Sequence, residues 1–156
     1  MHKYLRLAAA IIICQMAGII GSVFTAPNIA AWYATLNKPA LTPPNWLFGP
    51  VWVTLYTLMG TAVWRIWEKR TKKKANKEAL YPFAAQLALN ALWSMMFFGL
   101  RNPLYGLMTI VPLWLITMYT ILKFYKIDKT AAYLLVPYIL WVTVATYLNF
   151  MVWLLN

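Results

Sequence analysis

Apolar positions in this chain form long unbroken blocks, with neither the strict alternation of half-buried strands nor the narrow stripe of a solvent-covered helix. Uncharged runs cover residues 7–37, 39–64, 79–100, 102–122 and 130–156, each holding at least the ~20 residues that a helix needs to cross a bilayer core. A lipid-facing segment must satisfy its backbone polar groups internally, which a helix does and an open strand does not. The pattern predicts an all-α integral membrane protein, a single five-helix transmembrane domain over residues 1–156. Its helices are expected near 5–26, 47–67, 79–100, 103–125 and 130–154.

Composition agrees with the pattern: 63% of residues are hydrophobic and only 11% are charged, against roughly a quarter charged in soluble domains. Charge placement then orients the spans. With five spans, the side of the N-terminus collects Lys3 and Arg6, then Arg65, Lys69, Arg70, Lys72, Lys73, Lys74 and Lys77, then Lys123, Lys126 and Lys129. Only Lys38 and Arg101 fall on the other side, so the positive-inside rule puts the N-terminus inside and the C-terminus outside, as in a multi-pass cell-membrane protein. The net charge of +11 reads as a topology signal, and the run EKRTKKKANKE suits anionic headgroups better than nucleic acid. The first span runs past signal-peptide length, and Val23-Phe24-Thr25 offers no small-x-small cleavage pattern. Cys14 is the only cysteine, so no intrachain disulfide forms.

Five of the nine prolines fall between Pro27 and Pro50, interleaved with Trp32, Tyr33, Trp46 and Phe48 around a single charge, Lys38. A stretch this rigid and aromatic suits a lid folded over something apolar. Pro112 and Pro137 are expected to kink the fourth and fifth helices, whereas Pro82 and Pro103 fall in predicted first turns. Small residues recur at helical spacing, Ala17 with Gly21 and Gly18 with Ser22 in the first helix, and Ala84, Ala88 and Ala91 in the third. Such faces allow close backbone approach, to another helix of the chain or to a second copy, and the third-helix face is a candidate homodimer contact.

The absences narrow the chemistry. The carboxylates are Glu68, Glu78 and Asp128, all in basic connections, so none lies at membrane depth to relay protons. The only histidine is His2, which leaves no intramembrane imidazole for a metal, a haem iron or a nucleophile's base. Aromatic and amide groups remain. Phe48, Trp52 and Tyr56 recur every four residues in the second helix. Asn90, Trp93, Ser94 and Phe97 share a face of the third, and Tyr138, Trp141, Ala145 and Leu148 share a face of the fifth. Stripes of this kind serve either as helix packing or as the wall of a ligand pocket. A mid-span amide such as Asn90 either bonds a neighbouring helix or orients a ligand.

The run from Trp32 and Tyr33 through Leu36, Lys38, Pro39, Pro43, Pro44, Phe48 and Pro50 to Val51-Trp52 resembles the signature of the TspO/MBR family. Asn90-x-x-Trp93-Ser94 with Phe97-Phe98, and Pro137-Tyr138-x-x-Trp141 with Ala145 to Asn149, resemble the family's other motifs in the same order. The resemblance covers the whole chain and implies a five-helix bundle, often dimeric, whose first loop closes over a pocket for porphyrins such as protoporphyrin IX and haem. Carried over by motif position, the pocket residues are Tyr33, Trp52, Tyr56, Asn90, Trp93, Ser94, Phe97, Trp141, Ala145 and Leu148. Lys38, the one loop cation, is the candidate partner for a propionate. The resemblance also suggests light- and oxygen-dependent porphyrin breakdown with Trp52 and Trp141 as reaction partners; no other catalytic residue, no metal site and no further cofactor is implied. Porphyrin or metabolite transport and a scaffold role are the alternatives to a receptor. Two departures from the family bear on mechanism: the cholesterol pattern that the resemblance implies for the last helix, Leu or Val then Tyr then Lys or Arg, is missing because no basic residue follows Tyr147, and Thr109 stands near a position that is acidic in some bacterial relatives.

Overall fold

A computed structural model of the protein describes residues 2–69 and 73–156; Arg70 and Lys72 of the basic connection lie outside the described residues. Helix α1 spans His2–Ala31, and a short 3-10 turn, Tyr33–Thr35, follows it. Helix α2 is Asn45–Glu68, and α3 is Lys73–Ser94, prolonged by a π-helical turn over Met95–Gly99. Helix α4 covers Pro103–Ile127, α5 Lys129–Leu134 and α6 Val136–Leu155. Among the described residues there is no strand. Helices α1, α2, α4 and the α5–α6 pair are long and apolar enough to cross a membrane, so the chain is a multi-pass membrane protein. The polar start of α3, KKANKE, dilutes its hydropathy, and its apolar part continues into the π turn.

Proline positions account for most of the differences from the expected boundaries. Helix α1 runs through Pro27 to Ala31 instead of stopping at residue 26, so the proline-rich connection narrows to residues 32–44. Pro27 removes one helical donor, while Thr25 Oγ1 and Asn28 Nδ2 donate to the carbonyls of Gly21 and Phe24 at 3.1 and 2.7 Å, adding donors nearby. Because α3 begins at Lys73, Pro82 lies well inside it and not in a first turn. The fifth span breaks at Leu135 and restarts with Pro137 in the first turn of α6, where its missing N–H costs little. Between α3 and α4 the reversal is tight: Arg101 takes a left-handed φ of 49°. Asn102 then caps α4 by accepting from the N–H groups of Leu104 and Tyr105 at 3.0 and 3.2 Å.

The helices close into a ring in which α1 lies against α2 and α3, α4 against α3 and α6, and α2 against α5. Helix α2 barely meets α3 and α6, and that gap defines the site. The two ends of the bundle differ. At the basic end, Arg6 pairs with Glu68 at 2.9 Å, Arg65 and Lys69 with Asp128 at 3.0 and 3.8 Å, and Lys123 with Glu78 at 3.8 Å. Below these pairs lies a solid core of Met59, Ala62, Ile66, Ala79 and Phe124, with Phe83 stacked on Phe124 at 5.8 Å. Close approach there depends on Gly60, where a Cβ would stand 2.5 Å from Ile11 Cα. At the opposite end the proline-rich connection meets the C-terminus of α6: Asn156 Oδ1 accepts from Asn37 N at 3.1 Å and Asn156 Nδ2 donates to Asn37 O at 2.9 Å.

Candidate functional site

The gap between α2 and its neighbours encloses a cavity of about 600 Å³. Ten of the eleven residues singled out in the sequence line it: Tyr33, Trp52, Tyr56, Asn90, Trp93, Ser94, Phe97, Trp141, Ala145 and Leu148. Helical periodicity puts each set on one face, and the ring arrangement turns the faces toward each other. Helix α2 supplies Phe48, Trp52 and Tyr56; the rings of Trp52 and Tyr56 stack at 5.5 Å, and Trp52 stands edge-on to Tyr138 at 6.4 Å. Helix α6 supplies Trp141, packed on Phe48 at 5.6 Å. Toward the connection, Trp93 stacks on Phe97 at 5.4 Å, and Trp32 and Tyr33 lie against Phe97 and Phe98 at 5.4 and 5.7 Å. The π turn carries Phe97, in keeping with the tendency of such turns to mark functional positions.

Hydrogen bonds close the floor and back of this cavity. Tyr56 OH donates to Asn90 Oδ1, and Asn90 Nδ2 donates to Tyr138 OH at 2.9 Å, so one amide joins α2, α3 and α6. Asn90 thus bonds neighbouring helices, and it also lines the cavity. Asn149 acts similarly, accepting from Trp93 Nε1 at 2.9 Å and donating to Pro103 O at 2.7 Å. Asn149 was not among the expected wall residues, although it lies eight residues after Trp141 on the same face. Several polar atoms of the wall keep capacity to spare, Ser94 Oγ and Trp141 Nε1 among them. Ser94 Oγ makes no hydrogen bond among the described residues, and Trp141 Nε1 is buried without a partner, a donor whose desolvation a bound acceptor would offset.

Helix α1 was absent from the expected wall, yet Gln15, Gly18, Gly21, Ser22 and Thr25 line it. The small size of Gly18, Gly21 and Ser22 was read only as packing, and it is partly that: a Cβ on Gly18 would stand 2.5 Å from the Tyr56 ring, and one on Gly21 3.0 Å from Ser94 Oγ. Lys38 is the one expected residue that does not line the cavity. Its Nζ donates to the carbonyls of Tyr33 and Leu36 at 2.8 and 3.3 Å and lies 4.7 Å from the Tyr33 ring centroid, so it fastens the connection to itself. Tyr33, only 8% exposed, is held at the cavity's end by this contact and by Phe98. No group of three or more potential metal-ligating side chains occurs among the described residues.

Apolar spans ringed around an aromatic cavity with a few oriented amides define a multi-pass membrane protein with an internal space of small-molecule size. Residues 10–154 match the TspO/MBR family, and the chain belongs to that family. It is 46% identical over 155 residues to the tryptophan-rich protein TspO of Chlorobaculum tepidum, covering 99% of this chain and 98% of that one. Identity to the Archaeoglobus fulgidus protein of the same name is 45% over 152 residues, 97% of each chain. The translocator protein of Homo sapiens is 37% identical over 137 residues, 86% of this chain and 80% of its own.

Proposed function

We propose that the protein is a membrane receptor or sensor that holds planar hydrophobic ligands, porphyrins such as protoporphyrin IX or haem, in the cavity between α2, α3 and α6. The observation that carries this reading is the cavity itself, about 600 Å³ and walled by Trp52, Trp93, Phe97 and Trp141. That volume lies inside the ~300–1,000 Å³ range of small-molecule sites. A flat π-system gains from offset stacking and edge contacts with such rings. Ser94 Oγ and Trp141 Nε1 are among the groups available to its polar edge, whereas Asn90 and Asn149 already bridge helices. In this reading α3 is the fifth span, the basic end faces inward, and the connection over residues 32–44 acts as a lid fastened by Lys38. A second copy docks on the exposed Ala84 and Ala88 with the half-buried Ala91.

Titration with protoporphyrin IX in the dark, read by tryptophan quenching, tests the reading. Saturable quenching that weakens in Trp52→Phe and Trp141→Phe is expected; its absence defeats the proposal. Illumination of the same complex in air, followed by porphyrin absorbance, tests whether Trp52 and Trp141 support light-dependent breakdown with dioxygen as oxidant.

A further inference from the structure

The seam between α1 and α2 is fastened from the basic end upward and then stops. Arg6 pairs with Glu68, the backbone at Ile11 meets Gly60, and one turn further along α1, Gln15 Nε2 donates to Val53 O at 2.9 Å and Thr57 Oγ1 at 3.0 Å. The orientation of that amide follows from its partners. A carbonyl can only accept, and the Thr57 hydroxyl already donates its hydrogen to Val53 O at 2.9 Å, so both Gln15 contacts require N–H donors. Beyond Gln15 no side-chain hydrogen bond joins the two helices among the described residues. The residues next along both helices, Ile19 and Ser22 on α1, and Val53, Gly49 and Trp46 on α2, line the cavity and are also exposed on the outside of the bundle. A residue that faces both an internal space and the exterior marks a mouth. This one lies within two spans apolar enough to cross a membrane, so it opens toward lipid. Its α2 edge is weakly braced, because Pro50 withholds the donor that the Trp46 carbonyl would use, and a Cβ on Gly49 would meet nothing within 4 Å.

We infer that Gln15 is the latch of a membrane-facing mouth between α1 and α2, a positioning residue that sets how fast a bilayer-dissolved ligand enters and leaves the cavity. For the ligand this rests on the porphyrin reading; for the mouth it does not. Spin labels at Ser22→Cys and Gly49→Cys, in a Cys14→Ser background, report the width of the mouth without any ligand. Gln15→Leu is expected to lengthen and broaden their distance distribution, and Gln15→Asn, too short to span both acceptors, to do so less. An unchanged distribution in both overturns the latch.

Passage is read by stopped-flow quenching of the protein in vesicles preloaded with protoporphyrin IX. Association and dissociation rates are both expected to rise about 7-fold in Gln15→Leu, as loss of two intramembrane hydrogen bonds of typical strength implies, and both to fall in Gly49→Phe. Rates that match the unmodified protein in both variants overturn the inference, as does a change confined to dissociation, which would make Gln15 a ligand contact. Absence of quenching in the unmodified protein would defeat the porphyrin reading alone, and the label distances would still decide the latch.

Discussion

The basic half of the bundle and its proline-rich half are built on the same helices and differ in what fills the space between them. In the basic half, small residues bring backbones together: Gly60 at Ile11, with Ala62, Ala79, Ala131 and Ala132 buried around Phe83 and Phe124. Each of the three carboxylates there is paired with a basic side chain. In the other half, α2 presents Phe48, Trp52 and Tyr56 to neighbours that are themselves aromatic. Large rigid rings prop against one another edge-on and leave a hollow that aliphatic side chains would fill. Close packing and the hollow thereby fall at different ends of the same helices.

The most damaging single change should therefore fall in the tight half. Gly60→Leu forces α1 away from α2 at a backbone contact, with an expected loss of about 3 kcal/mol in equilibrium unfolding in mixed micelles. A loss below about 1 kcal/mol would mean that the seam at Ile11 yields, and the contrast between halves would fail.

Asp128 comes next. Burial pushes its carboxyl up, but the hydrogen bonds from Arg65 and Ala131 N–H and the charges of Arg65 and Lys69 outweigh that and hold it below the ordinary carboxylate range. It also caps α5, accepting from Thr130 N at 2.9 Å. Asp128→Asn is expected to cost about 2 kcal/mol. Because the folded carboxyl binds its proton less readily than the unfolded one, the stabilisation is complete above about pH 5 and is lost as pH falls below about 4, through the lowered folded value. Unfolding midpoints compared from pH 7 to 3 should show this slope in the parent and not in the variant.

Trp52→Leu reverses the roles. Trp52 borders the hollow and is not among the buried core residues, so stability should change little while porphyrin affinity falls about 10-fold, as loss of a stacking aromatic implies. Equal losses in both would show that the aromatic wall is core after all. The smallest effect is expected at Lys38. Lys38→Met removes two hydrogen bonds to part-buried carbonyls of the connection, costs about 1 kcal/mol, and is read as faster hydrogen exchange in residues 36–42, with affinity nearly unchanged. A large affinity loss would return Lys38 to the ligand.

Much of this was legible in the chain. A bilayer imposes length and backbone satisfaction on each span, so the helices, their approximate ends and the sorting of charge to opposite ends follow from the order of residues. Helical spacing put Trp52 with Tyr56, and Trp141 with Ala145 and Leu148, on single faces before any neighbour was known. Less legible was anything that depends on which face meets which. Gly18, Gly21 and Ser22 carry no binding signature of their own, and they join the wall only because Tyr56 and Ser94 stand opposite. Lys38 had the charge expected of a ligand partner, but carbonyls of its own connection were nearer. Pro27 and Pro82 were misplaced because a proline is tolerated inside a helix when neighbouring packing outweighs one lost hydrogen bond, a balance that no local pattern reveals.

The chain by itself determined a membrane-spanning helical protein with aromatic faces at fixed spacing and charge kept to the helix ends and connections, because those properties are set by local periodicity and by the solvent. The tertiary structure decided that the aromatic faces surround a hollow, that Asn90 and Asn149 bind helices before anything else, and that the α1–α2 seam stops at Gln15. Those features depend on the distances between helices, which arise from all the packed side chains together.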